Sequence, residues 1–110
     1  MQISYKRGLP AALMCSLLAV SSVQAFEGDE QRGRVLAESC LGCHAVASYT
    51  NTYPTYHVPK VGGQNEAYII SALLDYRSGN RPHGTMRKNA RSLSDQDIAD
   101  IAVFFSRSGQ

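Results

Sequence analysis

Cysteine is scarce in this chain: three occur in 110 residues, at positions 15, 40 and 43. An exported domain held together by disulfides carries four or more, spread along its length, so that class is excluded. Long apolar runs are missing too. The stretch "LPAALMCSLLAV" (9–20) is too short to span a bilayer. No segment alternates apolar and polar residues like a half-buried strand, and no β-α-β pattern exists. Nor is there an excess of one charge. The 11 basic residues face 9 acidic ones, and Lys6 and Arg7 account for the difference. A near-neutral chain of this kind is not a nucleic-acid binder by composition.

The first residues carry a different signal. Lys6 and Arg7 make a positive start, 9–20 is the apolar stretch, and "SSVQA" (21–25) supplies the small residues of a cleavage site. This is the pattern of a secretory signal peptide over 1–25. Met14 before Cys15 does not suit a lipidated cysteine. The expected product is a single domain, 26–110, not membrane-spanning once the leader is removed. It is small enough to need a staple beyond its own core, and both of its cysteines sit at one point.

The domain reads as all-α, with three main helices and two long loops. Over 28–40 Asp29 can cap a helix, Glu30 suits its first turn, and Val35, Leu36 and Ser39 keep helical spacing. Gly33 inside it weakens the helix by roughly 1 kcal/mol relative to alanine, which points to another helix crossing a bare backbone there. Residues 45–63 have no helical period; they hold Tyr49, Tyr53, Tyr56, Pro54 and Pro59, and loops this long usually wrap something. A second helix covers 64–80, capped by Asn65 and stopped at Gly79. After an irregular stretch, 81–91, Ser94 and Asp97 form a capping-box pattern with Leu93 as a staple. Ile98, Ile101, Ala102 and Phe105 then make the buried stripe of the last helix.

Chemistry concentrates in "SCLGCHA" (39–45). A structural zinc site needs four protein ligands, and His57 and His83 are too scattered to complete one. A redox dithiol places its two cysteines at a helix start after a strand, whereas these follow a helix. Haem attachment explains the spacing. Cys40 and Cys43 project to one side, where each adds to a vinyl group of one macrocycle, and His44 is delivered to the iron as the proximal ligand. Covalent haem then serves as the staple. The opposite axial position calls for a soft side chain. Met86 is the sole methionine after position 25, and it lies in a polar loop rather than on an apolar stripe. That makes Met86 the expected sixth ligand, with His83 and His57 as its rivals.

These residues, with "VPKVGGQNEAYIISALLDYRSGNR", "TM" and "LSDQDIADIAVFF" in order after "GRVLAESCLGCH", resemble the class I bacterial cytochromes c, and within them a single domain of the cytochrome c4/c553 group. The resemblance implies a cytochrome c fold wrapped around one covalently bound haem. It implies that Gly33 lies where the first helix crosses the last, near Phe104 and Phe105, and that the Pro59 carbonyl accepts a hydrogen bond from His44. The tyrosine-rich segment 45–58 departs from the glycine-rich run of c4 domains, and Arg81 is a candidate contact for a haem propionate.

Histidine and methionine ligation closes both axial positions, so the expected function is one-electron transfer without substrate binding, and no residue is assigned as catalytic. The expected location is a bacterial periplasm, with redox proteins as donor and acceptor. Between Asp75 and Asp95 there is no acidic residue, while Arg77, Arg81, Arg87, Lys88 and Arg91 bracket Met86; a basic loop at the haem edge would steer an acidic partner. Two other readings remain: a haem subunit of a periplasmic dehydrogenase or sulfur-oxidising complex, and a five-coordinate haem sensor or peroxidase.

Overall fold

A computed structural model describes residues 26–109. The expected leader, 1–25, lies outside them. Five helices and one short hairpin follow in chain order: α1 (Glu30–Leu36), α2 (Glu38–His44), β1 (Thr50–Thr52), β2 (Thr55–His57), α3 (Glu66–Ser78), α4 (Gly84–Ala90) and α5 (Asp95–Arg107).

The caps fall where the sequence puts them. Asp29 accepts from the Gln31 and Arg32 amides at the start of α1. Asn65 accepts from the Tyr68 amide at the start of α3, and Gly79 ends that helix at φ 87°, a conformation that favours a residue without Cβ. Ser94 and Asp97 exchange side-chain and backbone hydrogen bonds as a complete capping box on α5.

Gly33 meets the carbonyl group of Asp100: a Cβ built on it would lie 1.9 Å from that oxygen. α1 therefore crosses α5 backbone to backbone, and only hydrogen fits between them. Below the crossing, Ala37, Ile69, Ile101, Ala102 and Phe105 form the buried core, joined at its edge by Leu36, Leu73 and Phe104. Ile98, on the same stripe, is 1% exposed. Beside the crossing, the fully buried Asp100 carboxylate accepts from the Asp29 amide at 2.7 Å, from Gln96 at 2.7 Å and from the Arg32 guanidinium. Burial alone would push this carboxyl up; those three donors outweigh it and hold Asp100 below the usual carboxylate range.

Three expectations need correction. The single first helix is two, because buried Ala37 flattens to ψ −5° and its carbonyl is shared by the Cys40 and Leu41 amides at 2.8 and 2.9 Å. The chain then continues helical through both cysteines to His44. The loop 45–63 contains an antiparallel hairpin, with Thr50, Asn51 and Thr52 facing His57, Tyr56 and Thr55. Strands of three residues are too short to show a period of two, and side chains support this pair: Asn51 donates to the Pro54 carbonyl at 2.8 Å and Thr55 to the Thr52 carbonyl at 2.9 Å. Met86 does not lie in an irregular loop. It sits in the first turn of α4, a seven-residue helix with an unusual cap, His83. The fold is all-α apart from the hairpin.

Candidate cofactor site

α2 carries Cys40, Cys43 and His44, the last two in its final turn. Both cysteines are free thiols, Cys40 half-buried and Cys43 exposed; burial pushes the Cys40 thiol up, against a hydrogen bond with Ser39. His44 Nδ1 lies 2.6 Å from the Pro59 carbonyl oxygen. A carbonyl only accepts, so Nδ1 carries the proton and donates it, and the Nε2 lone pair remains for a metal. Pro59 is a residue whose own nitrogen has no hydrogen to offer, and its carbonyl orients the ring.

Cys40, Cys43, His44 and Met86 all border one cavity of about 450 Å³, within the range of cofactor and ligand sites. α3 supplies a wall of Tyr68, Ile69, Ala72, Leu73 and Tyr76, the side chains at three- and four-residue spacing; the hairpin adds Asn51 and Tyr56, and Tyr49 just before it joins them. No carboxylate lines the cavity, whereas Lys60 and Arg81 do. Arg81 donates to the Tyr68 hydroxyl at 3.2 Å and lies 4.9 Å above the Tyr76 ring centre. An apolar, aromatic-walled slot with cations at its edge suits a flat apolar molecule bearing anionic groups.

The rival histidines also border the cavity, but both have local partners. His57 Nδ1 lies 3.2 Å from the Thr50 hydroxyl across the hairpin. His83 Nδ1 accepts from the Met86 amide at 3.3 Å, so it caps the helix that carries the methionine. Tyr56 packs edge-on against His83, ring centres 4.7 Å apart, and its hydroxyl donates to Thr85 at 3.1 Å. Sequence reasoning missed these two contacts. Histidine is not among the usual N-cap residues, and nothing in the spacing of 56 to 83 marks a contact across the site.

No protein-family model matches the chain. Its curated relatives include cytochrome c-554(548) of Halomonas halodenitrificans, 37% identical over 82 residues, 72% of this chain and 95% of the relative. Another is the cytochrome subunit of sulfide dehydrogenase from Chlorobaculum tepidum, 32% identical over 76 residues, 69% of this chain and 66% of that one. Among solved structures, reduced cytochrome c4 from Pseudomonas stutzeri superposes with a TM-score of 0.58 at 27% identity, covering 78% of this chain and 53% of that one. The chain spans less than half the length of the curated cytochrome c4 proteins from Pseudomonas aeruginosa and Stutzerimonas stutzeri that it also matches. With two thiols and a correctly oriented imidazole at the mouth of an apolar slot, and relatives that are haem proteins by name, the chain belongs to the class I c-type cytochromes, the family of cytochromes c4 and c-553/c-554, whose cofactor is covalent haem c.

Proposed function

We propose that this chain is a periplasmic electron carrier in which Cys40 and Cys43 hold one haem through thioethers and His44 and Met86 ligate its iron. The observation that carries the reading is the convergence of these four side chains on one cavity, with His44 Nε2 left open by the Nδ1 bond to Pro59. When bound, the haem supplies a one-electron iron couple. The protein's own part is positional. Pro59 fixes the tautomer of His44 and orients its ring. The Met86 thioether, a soft donor, favours the reduced metal and raises the potential. The tyrosine and aliphatic walls exclude water, and Arg81 stands ready for an anionic group at the edge. With His44 and Met86 both holding the iron, no position would be left for a substrate, so the work would be electron transfer rather than catalysis.

The carrier's partner would be acidic. Arg87, Lys88 and Arg91 are exposed on or just beyond α4, and no acidic residue occurs between Asp75 and Asp95. The subunit reading is favoured by one relative's name, a cytochrome subunit of sulfide dehydrogenase; stoichiometric co-purification with a larger redox enzyme from the native cell would replace the free-carrier reading with it.

The test is an optical spectrum of the exported protein, oxidised and reduced, from a host that matures c-type haems. Low-spin bands, and a weak far-red band from a sulfur–iron(III) bond that disappears in Met86→Ala, are expected. A high-spin spectrum, or one unchanged by Met86→Ala, refutes the ligation and moves the function towards ligand binding.

A further inference from the structure

α4 is a poor helix on its own terms. It has seven residues and no acidic side chain in its first turn, and its cap is a histidine ring rather than the Ser, Thr, Asp or Asn that stabilises such ends. Isolated helices of this length do not persist in water. Its C-terminal end is anchored: Ala90 is fully buried, and the Leu93 amide donates to its carbonyl at 3.1 Å. The first turn, which carries Met86, has no comparable apolar anchor, since Gly84 and Thr85 are exposed.

Tyr56 reaches that turn from the hairpin and touches it twice. Its ring packs edge-on against His83, the cap that accepts the Met86 amide, and its hydroxyl donates to Thr85. The register makes this possible. Tyr56 faces Asn51 on the half-buried side of the hairpin, and both border the cavity.

From this geometry we infer that Tyr56 is a positioning residue for the axial methionine: acting through Thr85 and His83, it holds the first turn of α4 so that Met86 stays at the iron. The inference rests on the Met86 ligation proposed above. It gives the tyrosine-rich hairpin a role, as a clamp across the site. Tyr56 needs no contact with the iron; its effect is on the fraction of molecules in which the methionine has let go.

That fraction is measurable in the ferric holoprotein, because exogenous imidazole binds only where Met86 has left, and its apparent affinity scales with the open population. Tyr56→Phe keeps the ring and deletes the hydroxyl, and Thr85→Val deletes the acceptor while keeping the shape. Each is expected to tighten imidazole binding about fivefold, the effect of one net hydrogen bond. The double variant should do no more than either single one. Thr85→Ser, which retains the hydroxyl, should bind as wild type does, and so should Tyr53→Phe, at the exposed turn of the same hairpin. The far-red sulfur–iron band should disappear in step with imidazole saturation, at about fivefold lower imidazole in each variant.

Unchanged imidazole affinity in Tyr56→Phe overturns the inference, as does a double variant whose effect is the product of the single ones. Equal tightening in Tyr53→Phe also overturns it, by showing that any hairpin tyrosine acts alike. A wild-type protein without the sulfur–iron band would fail earlier and differently, removing the methionine ligation itself and the clamp with it.

Discussion

Gly33→Ala is the sharpest test of how α1 and α5 meet. The added methyl would stand 1.9 Å from the Asp100 carbonyl oxygen, 2.5 Å from its carbon and 3.0 Å from Phe104 Cβ. Ordinary contact needs about 3.5 Å, so the helices must part by roughly 1.5 Å, and the obstacle is backbone that has no rotamer to change. Parting them loosens the packing of Ala37, Ile101 and Phe105 and the Asp100 bonds beside the crossing. Overpacking of this kind costs about 3–4 kcal/mol, and the better helix propensity of alanine returns about 1 kcal/mol. A net loss of about 2–3 kcal/mol lowers the melting temperature of an 85-residue domain, 26–110, by roughly 10–20 °C.

The assay is thermal unfolding of the oxidised holoprotein followed by far-ultraviolet circular dichroism. Gly84→Ala is the paired measurement. That glycine lies inside a helix as well, at the start of α4, but nothing stands within 4 Å of its built Cβ, so the same substitution should raise stability by about 0.5 kcal/mol. A Gly33→Ala protein that melts at or above the wild-type temperature refutes the backbone crossing.

Asp100 makes stability depend on acid. Its folded-state pKa is held down, so its contribution is complete above the unfolded carboxylate value, about 3.9, and is lost as pH falls through the folded value. Asp100→Asn should lower stability near neutrality by about 2 kcal/mol and flatten the acid limb of a urea-unfolding series taken against pH; an unchanged limb refutes the assignment. Asp97, held down by Ser94 and by Arg32, keeps its own share of that limb in the variant. The basic face predicts a kinetic effect: Lys88→Glu with Arg91→Glu should slow stopped-flow reduction by an acidic flavodoxin hydroquinone about tenfold at low salt, and far less at high salt where charges beyond a few ångströms are screened. A rate insensitive to both the charges and the salt removes the acidic-partner reading.

What the sequence disclosed and what it withheld differ in a physical way. Caps, the left-handed stop at Gly79, the buried stripe of α5 and the attachment cluster are local signals, legible because each lies within one or two helical turns. The crossing at Gly33 was legible as an anomaly, since a glycine inside a helix calls for an explanation in space. The hairpin, α4 and the Tyr56 contacts were not legible. Three-residue strands and a seven-residue helix have too few positions to display a period. The hairpin is held by side-chain bonds three residues apart that no period announces, and the first turn of α4 is met by a partner far away in sequence, Tyr56 and Thr85 being 29 residues apart. The broken first helix was missed for the same reason: Ala37 has no propensity to stop a helix, and only its burial in the core fixes the bend.

That division also explains why the domain places its cofactor where it does. One half is the α1–α5 crossing with its capping box, its buried carboxylate and a core that reaches the cavity wall at Ile69. The other half consists of α2 after the Ala37 bend, the hairpin and α4, with α3 as a wall. Its large side chains, Leu73, Tyr76 and Met86 among them, remain half-buried around the cavity. Apolar surface left in that state stabilises nothing until something flat and apolar covers it. Covalent haem does this, joined at Cys40 and Cys43 on α2 just past the bend. α4 and the hairpin, to which the proposed ligation and clamp belong, border that cavity, while the crossing at Gly33 meets Asp100 and Phe104, which do not line it.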